Sequence, residues 1–141
     1  LLGQRLRSSG ARVAYRFPDT PAYALCDPNR MEQVLINLIG NALDAMAGQA
    51  SPQVDITADV RDRTIRLAVR DHGTGLSEDA LSRLFEPFFT TKEAGQGLGL
   101  GLAISAGIVG DFGGALSGSN HPDGGAVFTL ELPLAENEPS S

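Results

Sequence analysis

Met31-Glu-Gln-Val-Leu-Ile-Asn-Leu-Ile-Gly-Asn-Ala-Leu-Asp-Ala-Met46 is the stretch around which the rest of the chain can be organised. Apolar residues at 34, 35, 38, 39, 42, 43 and 46 cover most of a helix circumference, so it reads as a well-buried helix. One stripe is polar. Gln33, Asn37, Asn41 and Asp44 follow at spacings of four, four and three and share one face. Asparagine is a mediocre helix former, and an unpaired buried amide is costly. Two readings stand open on this stretch alone. The amides are core-edge groups satisfied by backbone, or the helix lines a ligand pocket with neutral oxygens and one carboxylate.

The 141 residues suffice for one domain with a proper core, and 42% hydrophobic with 20% charged residues is ordinary for a globular protein. A net charge of −6 without a long basic run argues against a nucleic-acid surface, which needs concentrated Lys and Arg. The lone Cys26 excludes an internal disulfide, is compatible with a reducing compartment, and reads as a small buried hydrophobe in a strand. The longest mainly apolar stretch, 98–109, is interrupted by glycines and is shorter than the roughly 20 residues of a spanning helix. No direct membrane contact is expected of this chain. His72 and His121 lie in loops without a metal partner at ligand spacing, and both read as surface histidines. The chain starts on leucine within what reads as a helix end, so a fragment of a longer protein is expected.

Residues 1–10 read as the end of a preceding helix or linker, 11–133 as the domain, and 134–141 as a flexible polar tail. Within the domain, 11–17 alternates as a strand, 18–21 turns, and 22–26 reads as a second short strand. Asp27 can cap the long helix and Pro28 suits its first position; the helix is expected to end near Gly48. Residues 53–60 and 64–70 form a predicted hairpin. A short helix capped by Ser77 follows, then a mobile loop over 86–97, a second long helix over 100–112, and strands at 115–119 and 126–132. This order does not alternate as a doubly wound sheet would. It predicts an α/β two-layer sandwich: one mixed, mostly antiparallel sheet with helices on one face.

Three constellations carry possible chemistry. Asp71-His72-Gly73-Thr74-Gly75 puts a carboxylate at a strand end, opening onto a turn that lets a ligand approach the backbone, although Asp-x-Gly is also a common turn. Gly95-Gln-Gly97-Leu98-Gly99-Leu100-Gly101 enters a helix, where freed N–H groups and the helix terminus suit an anion such as phosphate. It matches neither the dinucleotide fingerprint nor the Walker loop, because no strand precedes it and no Gly-Lys-Ser/Thr ends it. Phe85-Glu-Pro-Phe-Phe-Thr90-Thr91-Lys92 concentrates three of six phenylalanines; at least one anchors the loop on the core, and Lys92 can reach a phosphate as a point charge.

Together these pieces resemble one family. Asn37-Leu-Ile-Gly-Asn41-Ala resembles the asparagine box of histidine kinases, Asp71-x-Gly73-x-Gly75 their first glycine box, and Phe85-Glu-Pro-Phe with Thr90-Thr91-Lys92 their phenylalanine box. Gly97-x-Gly99-Leu100-Gly101-Leu resembles their second glycine box, and Gly124-Gly125-Ala126-Val-Phe their last. Order and spacing agree over about residues 11 to 133. The chain thus looks like the catalytic ATP-binding domain of a two-component sensor kinase, in the gyrase–Hsp90–histidine kinase–MutL superfamily with its Bergerat-type fold. Its wording is closest to sensors of the nitrogen and four-carbon-dicarboxylate type.

The resemblance implies ATP and Mg²⁺ as cofactors. It makes Asn41 the metal ligand, sets Asn37 against phosphate or metal-bound water, and counts Asn37, Asn41 and Lys92 as the catalytic set. Asp71 would accept from the adenine amino group, where guanine has an oxygen instead. Asp44, Gly73, Gly75, Phe85, Thr90, Thr91, Gly95, Gly97, Leu98, Gly99, Leu100 and Gly101 complete the implied nucleotide-binding set. Two residues depart from the pattern: His72 replaces an asparagine, with its side chain expected to face away, and Ala126 replaces a frequent threonine. The family's phosphoacceptor His-Glu/Asp pair is absent here. The implied partners are therefore a phosphoacceptor and dimerisation domain outside this chain and a response regulator downstream, in the cytoplasm. Competing readings are an ATP hydrolase of the superfamily, which would carry a glutamate where Asn37 stands, an anti-sigma-factor serine kinase, and a degenerate nucleotide-binding interaction module.

Overall fold

The computed structural model describes residues 11–19, 22–86 and 101–135. Its elements are β1 (Arg12–Arg16), α1 (Pro28–Ala45), β2 (Gln53–Arg61), β3 (Thr64–Arg70), α2 (Glu78–Ser82), α3 (Gly101–Asp111), β4 (Ala115–Asn120) and β5 (Ala126–Pro133). The five strands form one sheet in the order β1-β2-β3-β5-β4. β1 runs parallel to β2, with α1 as the crossover, and the other three pairings are antiparallel. The two-layer sandwich with a mixed, mostly antiparallel sheet is thus the architecture observed.

Local chemistry sets the element ends. The Asp27 carboxylate accepts from the Asn29 N–H at 2.9 Å, and Pro28 follows where a missing N–H costs nothing. Ser77 Oγ accepts from Ala80 N–H at 3.1 Å and starts α2. β2 and β3 meet in a tight turn whose central residues, Asp62 and Arg63, both have positive φ, 53° and 62°. Paired positive φ values match the twist of a two-residue hairpin.

The core follows from strand register. Ile56, Val69 and Phe128 lie in one row across β2, β3 and β5, and Leu67 and Leu130 lie in the next. In β5 every second residue, Ala126, Phe128, Leu130 and Leu132, is buried, which marks the helix-covered face. Val34, Leu38, Ile39, Ala42, Leu43 and Met46 cover that face from α1, and Ile108 and Val109 from α3. Leu84 occupies the space above Gly118, where an added Cβ would stand 2.5 Å from Leu84 Cδ1. Phe85 packs part-buried against the same core, which identifies it as the anchoring phenylalanine. Among the described residues no helix is long and apolar enough to cross a membrane.

Two expectations are corrected. Residues 22–26 form no strand; the segment receives one backbone hydrogen bond, from Ala135 N–H to Tyr23 C=O at 2.7 Å, and makes no ladder. Its alternation expressed local propensity without a neighbouring strand, because β1 already fills the free edge of β2. Cys26 is accordingly half-buried in irregular chain. The long helix also stops at Ala45, earlier than Gly48, and three turn residues follow. The predicted mobile loop lies largely outside the described residues.

Leu38 is fully buried beneath the sheet. Leu38→Ala is expected to lower unfolding free energy by about 2–5 kcal/mol, read as a lower urea midpoint at unchanged m-value.

Candidate functional site

The amide stripe of α1 faces the start of α3. Asn37 Nδ2 donates to Ser105 Oγ at 3.0 Å and to the Gly101 carbonyl at 3.4 Å. A carbonyl oxygen only accepts, so the amide's NH₂ must face it. Asn41, one turn on, is half-buried, and its side chain takes no hydrogen bond among the described residues. Asp44 is exposed on the last turn.

The other end of α1 abuts the turn after β3. An added Cβ on Gly73 would lie 2.7 Å from the Ala45 carbonyl oxygen, so only glycine fits against the helix end. Met46 Sδ accepts from His72 N–H at 3.3 Å. From 37 to 45 the helix advances about 12 Å.

Asp71 closes β3 and is 2% exposed. Its N–H donates to the Ala126 carbonyl at 3.0 Å. Its Oδ1 accepts from Gly73 N–H at 2.8 Å and Ala126 N–H at 3.2 Å. Gly125 lies so close that a Cβ there would be 1.9 Å from the Asp71 carbonyl oxygen, and its φ of +84° also demands glycine. Oδ2 accepts nothing within the described residues. No fully buried side-chain oxygen there is left without a partner, so Oδ2 is not fully enclosed.

Residues that sequence reasoning passed over hold this turn in place. Asn120 pairs twice with the Leu76 backbone, accepting from its N–H at 2.7 Å and donating to its carbonyl at 2.8 Å. His72 is an exposed histidine, as expected, and it is engaged. Its Nε2 meets Asp55 Oδ2 at 2.7 Å, and its carbonyl accepts from Gln49 Nε2 at 3.1 Å. Burial pushes the Asp55 carboxyl up. The hydrogen bonds from Gln53 and His72, with the charges of His72 and Arg70, outweigh that and hold it below its ordinary 3.8. Arg70 in turn donates from Nε and Nη2 to the Gly124 carbonyl at 3.2 and 3.0 Å. His121 is likewise engaged locally, its Nδ1 accepting from Asp123 N–H at 3.0 Å.

The structure therefore sets Asn37, at the middle of α1, against Gly101, and the Asp71–Gly73 turn against the C-terminal end of the same helix. Gly75 follows in the same turn, with φ +83° and Asn120 against it. Thr90, Thr91, Lys92, Gly95, Gly97, Leu98, Gly99 and Leu100 lie outside the described residues. The donor set fits a metal-bound nucleotide: amide oxygens at one end suit a cation whose negative charge is brought by phosphates, and a spare carboxylate oxygen at the other suits an amino group.

The family model described as "Histidine kinase-, DNA gyrase B-, and HSP90-like ATPase" matches residues 26–136. The C4-dicarboxylate transport sensor protein DctB of Pseudomonas aeruginosa is 41% identical over 133 residues, covering 94% of this chain and 22% of DctB. The chain thus spans about a fifth of that relative's length. The nucleotide-free catalytic domain of histidine kinase ThkA superposes with a TM-score of 0.81 at 31% identity, covering 94% of this chain and 84% of that one. ThkA in complex with response regulator protein TrrA gives 0.78 at 28% identity, over 95% of this chain and 37% of the other. Full-length ShkA in complex with AMPPNP gives 0.79 at 32% identity, over 95% of this chain and 28% of ShkA.

The Asp55 carboxyl is held below its unfolded value, so its stabilisation is present above pH 3.8 and is lost as pH falls through the folded value. Because the pair is part-exposed, wild type should exceed Asp55→Asn by only about 0.5–1 kcal/mol at pH 6. That gap should close in urea unfolding carried out below pH 3.8.

Proposed function

The chain belongs to the histidine kinase-, DNA gyrase B- and HSP90-like ATPase family, and from that premise we propose that it is the catalytic domain of a sensor histidine kinase. It binds ATP with Mg²⁺ and presents the γ-phosphoryl group to a histidine on a phosphoacceptor and dimerisation domain outside this chain. A response regulator then receives the phosphoryl group. Kinship with DctB and with ThkA, which is seen with a response regulator, supports this reading of a parent protein in the cytoplasm or anchored beside it.

The observation that carries the proposal is Asp71. A carboxylate at 2% exposure is retained only where its charge is compensated, and two N–H groups compensate one oxygen alone. The second oxygen suits the exocyclic amino group of adenine; guanine would set an oxygen against it. Gly73 and Gly125 keep the backbone flat beside the base. With adenine at this end, the phosphates lie along α1 toward Asn37, Asn41 and the N-terminus of α3, whose dipole favours anions.

Asn41 Oδ1 is the protein's ligand to Mg²⁺, and Asn37 Oδ1 faces phosphate or metal-bound water. The bound cation supplies charge neutralisation for phosphoryl transfer. Lys92, Thr90, Thr91, Gly95, Gly97, Leu98, Gly99 and Leu100 complete the phosphate side, with Gly101 at the helix entry, while Asp44 and Phe85 border the site. Positioning rather than proton abstraction is the work of α1. Asn37 holds no proton-accepting carboxylate where a hydrolase would need one, which favours transfer to a histidine over transfer to water.

Asp71→Asn keeps the Oδ1 contacts but turns Oδ2 into a donor facing a donor. We expect ATP–Mg²⁺ affinity to fall about ten- to a hundredfold with little change in fold, and the ATP-over-GTP preference in thermal unfolding to disappear. Unchanged ATP affinity by calorimetry would refute the adenine role.

A further inference from the structure

Among the described residues two polar or charged side chains are buried, Asp71 and Ser105. The first is absorbed by the adenine site. The second sits in α3, in Gly101-Leu-Ala-Ile-Ser-Ala-Gly-Ile-Val, an otherwise apolar run, and has 0% exposure. A buried hydroxyl in such surroundings costs free energy unless it is bonded. Its partner is Asn37 Nδ2 at 3.0 Å, a contact between residues 68 apart in sequence.

We propose that Ser105 is a positioning residue for the nucleotide's metal end: it holds the Asn37 amide in place and locks α1 to the first turn of α3. This deepens the nucleotide reading above and rests on it.

The acceptors on α3 decide the orientation. Asn37 can turn its NH₂ or its oxygen toward that helix. The Gly101 carbonyl at 3.4 Å favours the NH₂, but weakly at that length. The hydroxyl of Ser105 lies 0.4 Å closer, the difference between 3.4 and 3.0 Å, and is the stronger hold on the amide's position, while the acceptor-only Gly101 carbonyl sets its sense. With both bonds made, the Asn37 amide is held in place before any ligand arrives. Such pre-orientation removes a rotamer cost from binding. The same pair of bonds joins α1 to the residue where α3 begins, so the phosphate end of the site keeps a fixed width.

Removal of the hydroxyl leaves Asn37 with the long contact alone. In Ser105→Ala, the Mg²⁺ concentration for half-maximal ATP binding is expected to rise about five- to tenfold, the equivalent of one hydrogen bond of roughly 1 kcal/mol. The side-chain NH₂ resonances of Asn37 in the nucleotide-free protein should shift and exchange faster with solvent. Ser105→Thr and Ser105→Val, compared side by side, hold shape constant and vary only the hydroxyl. The threonine variant should keep both signatures near wild type and the valine variant should lose them. Equal Mg²⁺ dependence and equal Asn37 resonances in these two variants would overturn the proposal. If wild type itself shows no Mg²⁺-dependent ATP binding, the nucleotide reading falls, and the proposal with it.

Discussion

A helix that is apolar around most of its circumference and carries one stripe of amides can be buried only if something polar meets the stripe. In this protein that demand falls on α1, and the first residues of α3 answer it. Val34, Leu38, Ala42 and Leu43 press on the sheet, while Asn37 faces Gly101 and Ser105. The two helices therefore do not merely pack side by side. They share a polar seam, and it stops at Asn41, whose half-buried side chain takes no hydrogen bond among the described residues.

The opposite end of α1 is constrained by close approach rather than by hydrogen bonding. The Ala45 carbonyl, Gly73, Asp71 and Gly125 are stacked so tightly that no Cβ fits at either glycine. Asp71 then takes its two N–H groups from a neighbouring strand and from its own turn, a rigid seat for a buried charge. Asn120 and the His72–Asp55 pair brace that turn from two further elements, β4 and β2. A carboxylate used to recognise a base needs such bracing, since an error of a fraction of an ångström in a buried hydrogen bond forfeits much of its discrimination.

What was legible in the sequence is what local chemistry decides. The Asp27-Pro28 start of α1, the Ser77 cap, the amide stripe and the Asp-x-Gly-x-Gly turn are each defined within a few residues. The false strand at 22–26 had the same local credentials but lacked a partner, and pairing is not local. The turn at Asp62-Arg63 carries positive φ at residues without the Asn-Gly signature, so its tightness was hidden as well. Ser105, Asn120 and Asp55 were missed for one reason. Their partners are 68, 44 and 17 residues away, and a lone Ser, Asn or Asp in a helix or strand gives no sign of what it will meet. A serine amid Leu, Ala, Ile and Val at a helix start was the one available hint, because burial of a hydroxyl there implies a partner.

The seam also bears on which phosphoryl acceptor the site suits. A glutamate at 37 would set a carboxylate against the Gly101 carbonyl and need the Ser105 hydroxyl to turn and donate. The repulsion from the carbonyl would push that side chain out toward the proposed phosphates, where a base for water belongs. Asparagine reverses each term: its NH₂ is drawn to the carbonyl, and it offers no carboxylate to accept a proton. The architecture of α1 and α3 thus suits an amide at 37, and an amide can orient phosphate and metal-bound water but cannot activate it. On the proposed reading, the nucleophile's own proton chemistry has to be supplied by the histidine-bearing domain, which makes that domain a chemical participant as well as a substrate.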